Sequence, residues 1–221
     1  MADRHAKDAL FAAFASVAKA LGNGRRAEIV DVLAQGERSV DDLAAEIGQS
    51  VANTSHHLQL LAHAGLVRTR RQGTRVIYRL ASEHVAGLWT ALRGVAVEHV
   101  AEVDVLAAAY LGPRDGVEEV SAAELAERIA TGRAVVLDVR PRVEFAAGHI
   151  PGARSTPLAE LPALLDEIPP DGEFVAYCRG PFCVYADDAV RLLRGRGRSA
   201  RRLDVGYPEW RQAGYATTTI D

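Results

Sequence analysis

Apolar positions recur at helical spacing through most of the first half of the chain. In RRAEIVDVLAQG, Ile29, Val30, Leu33 and Ala34 share one face and Gly36 is a stop. Residues 8–20 carry a similar pattern, which Gly22 and Gly24 end. Ser39 followed by Asp42 predicts an N-cap with an acidic first turn for VDDLAAEIG. Gly48 then predicts a tight corner, and Ser50 caps VANTSHHLQLLAHAG, where Leu58, Leu61 and Ala62 form the buried side. Two short helices around a tight turn describe a helix-turn-helix. After Gly65 the period changes. LVRTRRQGTRVIYRL alternates and is split by Gln72-Gly73, the pattern of a hairpin. Residues 82–110 return to helical spacing and are expected to form one long helix. Its apolar stripe has few partners in so small a domain, which predicts pairing with a second subunit.

YLGPRDGVEEV, with Gly112, Pro113 and Gly116, reads as a seam. Beyond it the pattern alternates between classes. AELAERIATG is helical, AVVLDVR is a nearly unbroken apolar strand, and PLAELPALLDEI is helical again. The strand FVAYC, the helix VYADDAVRLLRGRG and ARRLDVGYPEWRQAG follow. Strands apolar along their whole length, alternating with helices, indicate a parallel sheet covered on both faces. The expected fold class is a mainly α winged helix-turn-helix over 1–110, a linker over 111–118, and an α/β domain with a parallel sheet over 119–221.

Composition adds two constraints. The chain of 221 residues has only two cysteines, and no apolar run approaches the length of a membrane span. The start, MADRHAKDALFAAF, is charged too early for a secretory leader, so a cytoplasmic protein without membrane association is expected. The net charge of −3 conceals a basic cluster: Arg68, Arg70, Arg71, Arg75 and Arg79 occupy a stretch without a single acid, on the predicted hairpin.

Both cysteines lie in VAYCRGPFCVYADDAVRLLR, five positions apart, between a strand and a helix. A structural disulfide, a metal half-site and a reactive thiol on an anion-binding loop are all compatible with that spacing. Zinc is disfavoured, because two cysteines leave a tetrahedral site incomplete and no histidine cluster adjoins them. No other metal or cofactor is expected. A loop at the carboxyl edge of a parallel sheet is where open α/β sheets place their sites. The backbone N–H groups of Arg179–Val184 and the start of the following helix favour a thiolate at Cys178, Arg179 adds charge, and Gly180 allows close approach. Pro181 and Phe182 would shape an apolar mouth. The plainer alternative is an inert thiol ending a core strand.

Residues 117–221 resemble a single rhodanese (sulfurtransferase) domain. The matching pieces are VVLDVRPRVEFAAGHIPGARSTPL over 135–158, the Cys178 loop, and LDVGYPEWRQAGY over 203–215. The resemblance implies that Cys178 takes sulfane sulfur from a small donor, holds it as a persulfide and passes it to a thiol acceptor or cyanide. It gives Asp138 and Arg140 a structural ion pair and His149 an architectural role. Phosphatase relatives need an arginine six positions after the cysteine, where this chain has Val184. Cys183 departs from the commonest loops. It would either resolve a Cys178 persulfide into a disulfide or face the core as a small apolar residue.

Residues 10–104 resemble the dimeric ArsR/SmtB-type winged-helix repressors, carried by SVDDLAAEIG (39–48) and SVANTSHHLQLLAHAGLVRTRRQGTRVIYRL (50–80). The resemblance implies a homodimer, through the 82–110 helix and the N-terminal helix, on double-stranded operator DNA. Ser50, Asn53, Thr54, Ser55, His56, His57 and Gln59 crowd one helix with side chains able to reach bases or phosphates. Arg71 and Arg75 flank Gly73 and suit phosphates or a narrow groove. For any single one of these a solvated face is the alternative, and for His57 a packing role. Metal-sensing signatures are missing: SVDDLAAEIG has no cysteine, and only His99 and Glu102 fit the pattern of zinc sensors. The functional expectation is a transcriptional regulator responsive to reactive sulfur or thiol redox state. The alternative is a sulfurtransferase enzyme whose DNA-binding half acts independently.

Overall fold

The computed structural model describes residues 3–114, 116–165, 167 and 172–220. The chain divides into two compact units, Met1–Leu92 and Arg93–Asp221.

The first unit opens with α1 (Arg4–Leu21) and α2 (Gly24–Gln35), the latter capped by the Asn23 side chain. The short strand β1 (Arg38–Ser39) leads into α3 (Val40–Glu46). The predicted cap at Ser39 is a full capping box: its hydroxyl accepts from Asp42 N, and the Asp42 carboxylate accepts from Ser39 N. Helix α4 (Val51–His63) follows, with Ser50 as its N-cap. Leu43, Ile47, Leu58 and Leu61 close the corner between α3 and α4 around Ile29, Val30 and Leu33 of α2. Strands β2 (Val67–Gln72) and β3 (Arg75–Leu80) form the antiparallel hairpin, turning at Gly73 with φ +61°, and β1 pairs the far side of β3.

The expected single helix over 82–110 is instead two: α5 (Glu83–His99) and α6 (Ala101–Leu111), separated at Val100 (φ −111°, ψ 96°). No proline or glycine marks this break. The apolar spacing runs straight through it, so periodicity alone extends the helix.

The second unit is a five-stranded, all-parallel sheet in the order β4-β8-β7-β5-β6. Its strands are β4 (Glu119–Val120), β5 (Val135–Asp138), β6 (Arg154–Ser155), β7 (Glu173–Tyr177) and β8 (Ser199–Leu203). The helices are α7 (Ala122–Ala130), α8 (Arg142–Ala147), α9 (Leu161–Leu164), α10 (Val184–Gly195) and α11 (Tyr207–Gln212). Two apolar layers cover the sheet, one built on Leu137, Phe174, Ala176 and α10, the other on Leu125, Val136, Val175 and Trp210. The helix expected over PLAELPALLDEI shrinks to Leu161–Leu164, with Pro162 near its start; Asp166 and Ile168 lie outside the described residues.

Candidate functional site

Strand β7 is central, hydrogen-bonded to β5 on one side and β8 on the other. It delivers Cys178, 2% exposed, to the carboxyl edge of the sheet. The loop turns through a Cys183 N–H to Gly180 C=O bond and enters α10, with Cys183 as its N-cap residue. Cys178 and Cys183 are joined as a disulfide, their Cα atoms 6.3 Å apart. Arg179, Pro181, Phe182, Cys183 and Val184 are half-buried and Gly180 is buried.

Arg179 corrects an expectation. Its guanidinium forks onto the fully buried Glu144 of α8, Nε donating to both carboxylate oxygens at 3.0 and 3.1 Å and Nη2 to one at 2.6 Å. The charge is matched by a carboxylate rather than lent to the sulfur. Other arginines around the loop are matched too. Arg114 donates to Asp187 Oδ2 at 2.8 Å and to Pro181 C=O at 2.7 Å, and Arg93 pairs with Glu209 within the second unit.

The floor of the site is a buried polar cluster. Arg140 and Asp138, both with 0% exposed side chains, pair at 2.6 Å, and Arg140 Nη2 also donates to Gly148 C=O. Burial pulls the Arg140 pKa down, but the hydrogen bonds and charge of Asp138 outweigh it and raise it. The Tyr177 hydroxyl donates to Asp138 and accepts from Ile150 N–H; burial first, then the Asp138 charge, pushes its pKa well above the usual phenol value. His149 stacks on Phe145 and pairs through its backbone with Thr218, an architectural role.

Two residues of the site carry no signal of their own in the sequence. Nothing adjacent to Glu144 in the sequence points to Arg179, which the fold brings to it. Gly206 reads as a turn glycine, yet a Cβ there would lie 2.3 Å from the Arg179 carbonyl oxygen and 2.4 Å from Gly180 N. Its φ of −97° is open to any residue, so the constraint is the close approach alone. Gly206→Ala therefore pushes on the backbone of the cysteine loop. We expect it to slow the reaction of Cys178 with a thiol reagent, after reduction, by roughly tenfold or more, a 1 Å displacement of reacting atoms being enough for such losses. A time course of alkylation followed by mass checks this.

In the first unit, Asn53, His56 and Gln59 of α4 are exposed at i, i+3 and i+6, on one face, with Ser55 half-buried beside them. Thr54 does not join them: it is fully buried and its hydroxyl donates to Ser50 C=O. Ser50 is exposed, with its hydroxyl accepting from Asn53 N as a helix cap. His57 is half-buried, and burial, followed by the charges of Arg26, His56 and Arg25, lowers its pKa. A neutral packing histidine fits that setting better than a phosphate ligand. On the hairpin, Arg70 and Arg79 lean on Glu37 at 2.6 and 3.8 Å, whereas Arg71 and Arg75 are exposed and form no salt bridge within 4 Å among the described residues. Among the described residues no group of three or more His, Cys, Asp or Glu side chains is placed to hold a metal ion, and no helix is long and apolar enough to cross a membrane.

Residues 23–69 match the family described as bacterial regulatory protein, arsR family, and residues 121–213 match the rhodanese-like domain. The HTH-type transcriptional regulator Rv0324 of Mycobacterium tuberculosis is 50% identical over 209 residues, 94% of this chain and 91% of that protein. A protein named sulfurtransferase from Allochromatium vinosum is 34% identical over 99 residues, 44% of this chain and 92% of its own. Among solved structures, the homodimeric winged helix-turn-helix DNA-binding domain (fragment 1–100) of Mb0332 from Mycobacterium bovis is 47% identical, covering 46% of this chain and 93% of that one, with a TM-score of 0.43. The chain belongs to the arsR family of bacterial regulatory proteins, in the form that carries a rhodanese-like domain behind an ArsR/SmtB-type winged helix-turn-helix.

Proposed function

We propose that this protein is a dimeric, DNA-binding transcriptional regulator of the cytoplasm that reads reactive sulfur or thiol redox state through Cys178 and Cys183. The observation that carries the reading is the cysteine pair itself. Both thiols of the chain sit on one loop at the sheet edge, close enough to be joined, and the first unit holds no cysteine at all. Sulfur loaded on Cys178 as a persulfide has a resolving thiol within reach. Attack of the Cys183 thiolate on the Cys178 sulfur forms the disulfide and expels hydrosulfide, so the electrons balance without an added oxidant.

Operator contact is assigned to Asn53, Ser55, His56 and Gln59 for bases, and to Arg71 and Arg75 for phosphates or a narrow groove. Dimerisation is assigned to the apolar residues that α1, α5 and α6 leave in water, among them Phe11, Phe14, Val95, Val105 and Leu106, each more than half exposed.

The test is a promoter-DNA titration on reduced, persulfidated and disulfide protein from one preparation, with intact mass recorded for each sample. A change of roughly fivefold or more in affinity between states, a coupling of about 1 kcal/mol, supports the reading. Equal affinities would sink it and leave a sulfurtransferase whose DNA-binding half acts alone. In the same titration Arg71→Glu with Arg75→Glu is expected to weaken binding by at least roughly tenfold at low salt and to flatten its salt dependence.

A further inference from the structure

A groove of about 480 Å³ borders the cysteine loop, and its walls are mostly carbon: Val139, Pro141, Pro157, Leu158, Ala159 and the ring of Tyr185. Val139 shares a buried cluster with Cys178, while Leu158, Cys183 and Tyr185 pack against that cluster. Neither cysteine lines the groove, but its Val139 wall reaches the strand that carries Cys178, the Val139 N–H donating to the Tyr177 C=O. Only Arg142 and Glu160 bring charge to its lining, and they cancel, Arg142 Nε donating to the two Glu160 oxygens at 3.1 and 3.0 Å. Around the loop Arg179, Arg114 and Arg93 are matched as well, by Glu144, Asp187 and Glu209. A small dianion such as thiosulfate meets no unmatched arginine among these, so the expected loop amides are its one attraction and the carbon walls add none. A short alkyl chain meets surface that takes it out of water.

From this we infer that the sulfur donor is a small organic persulfide with an uncharged apolar tail, which lies in the groove and presents its terminal sulfur to Cys178. The inference rests on the sulfur-handling role proposed for Cys178 and names its substrate class. Once a dithiol has reduced the Cys178–Cys183 bond, the Cys178 thiolate attacks the terminal sulfur of R–S–SH. A sulfur–sulfur bond forms at Cys178 as the donor's own sulfur–sulfur bond breaks, and the electron pair leaves on R–S⁻. Tyr185 joins loop to groove: it lies two positions past Cys183, and the Arg179 guanidinium stands 5.9 Å from its ring centre.

The experiment uses the full-length protein, reduced and freed of dithiol, with ethyl persulfide, hexyl persulfide and thiosulfate as donors. Loading is followed by intact mass, persulfide and disulfide products being counted together. Hexyl persulfide is expected to load at least about tenfold faster than ethyl persulfide, four added methylenes entering the groove, and both faster than thiosulfate. Ala159→Trp, at an exposed position on the wall, should flatten the dependence on chain length. Glu160→Gln, which strips Arg142 of its charge partner, should raise the thiosulfate rate several-fold. Thiosulfate matching hexyl persulfide, or a rate independent of chain length, overturns the inference while the sulfur-handling role stands. If no donor loads Cys178, that role falls and takes the inference with it.

Discussion

Cys178→Ser protein, reduced and mixed with excess persulfide donor, is expected to keep its mass, with sulfane uptake reduced by at least roughly a hundredfold. A serine hydroxyl is far less acidic and less nucleophilic toward sulfane sulfur than a thiol, and Cys183 does not replace it. Cys178 directly follows a buried strand and is 2% exposed, whereas Cys183 is half-buried as the N-cap of α10. Cys183→Ser is expected to behave differently. It should accept sulfur and hold it, about 32 Da heavier, because the thiol that would expel hydrosulfide is gone. Wild-type protein should pass through the same adduct to a species about 2 Da lighter than the reduced chain. Intact mass against time separates the three. A Cys183→Ser adduct as short-lived as that of the wild type would show that Cys183 does not resolve the persulfide.

Arg140→Met should be the most damaging single change to the fold of the second unit. It leaves the Asp138 carboxylate buried at 0% exposure, with the Tyr177 hydroxyl and the Arg140 backbone N–H as its remaining donors. Breaking a buried pair from one side costs about 3–5 kcal/mol, far more than the pair contributes over an apolar substitute. Urea denaturation of the full chain should show the α/β unit unfolding at markedly lower denaturant. Adding Asp138→Asn should recover part of the loss, since the orphaned charge is then removed. If the single variant unfolds at the wild-type midpoint, the pair is not the anchor described here.

Local signals in the sequence were sufficient where the physics is local. Ser39 with Asp42, Ser50 as a cap, the turn at Gly73 and the unbroken apolar run of β7 all act within a few residues, so pattern alone locates them. The cysteine loop is legible for the same reason, being the stretch between a buried strand and the next helix. Partnership is not local. Nothing near Arg179 announces that Glu144, on another helix, will absorb its charge. Nothing near Gly206 announces that the loop backbone will pass within 2.4 Å of a missing methyl group. Thr54 misled because a polar residue on a polar helix reads as exposed, and only its burial against the helix-turn-helix core and its bond to the Ser50 carbonyl show otherwise. Val100 misled because two helices in series can carry one continuous apolar spacing.

The place of β7 in the sheet has a mechanical consequence. A strand gripped on both sides by parallel neighbours is a stiff mount, and its amides should open only with the unit as a whole. The loop that follows has a single internal backbone bond, from Cys183 to Gly180, and ends on the first turn of α10. Making or breaking the Cys178–Cys183 bond therefore works like a latch between a fixed post and a movable arm. Cys178 stays where the sheet holds it, and any displacement is taken up on the Cys183 side, by the loop and the start of α10.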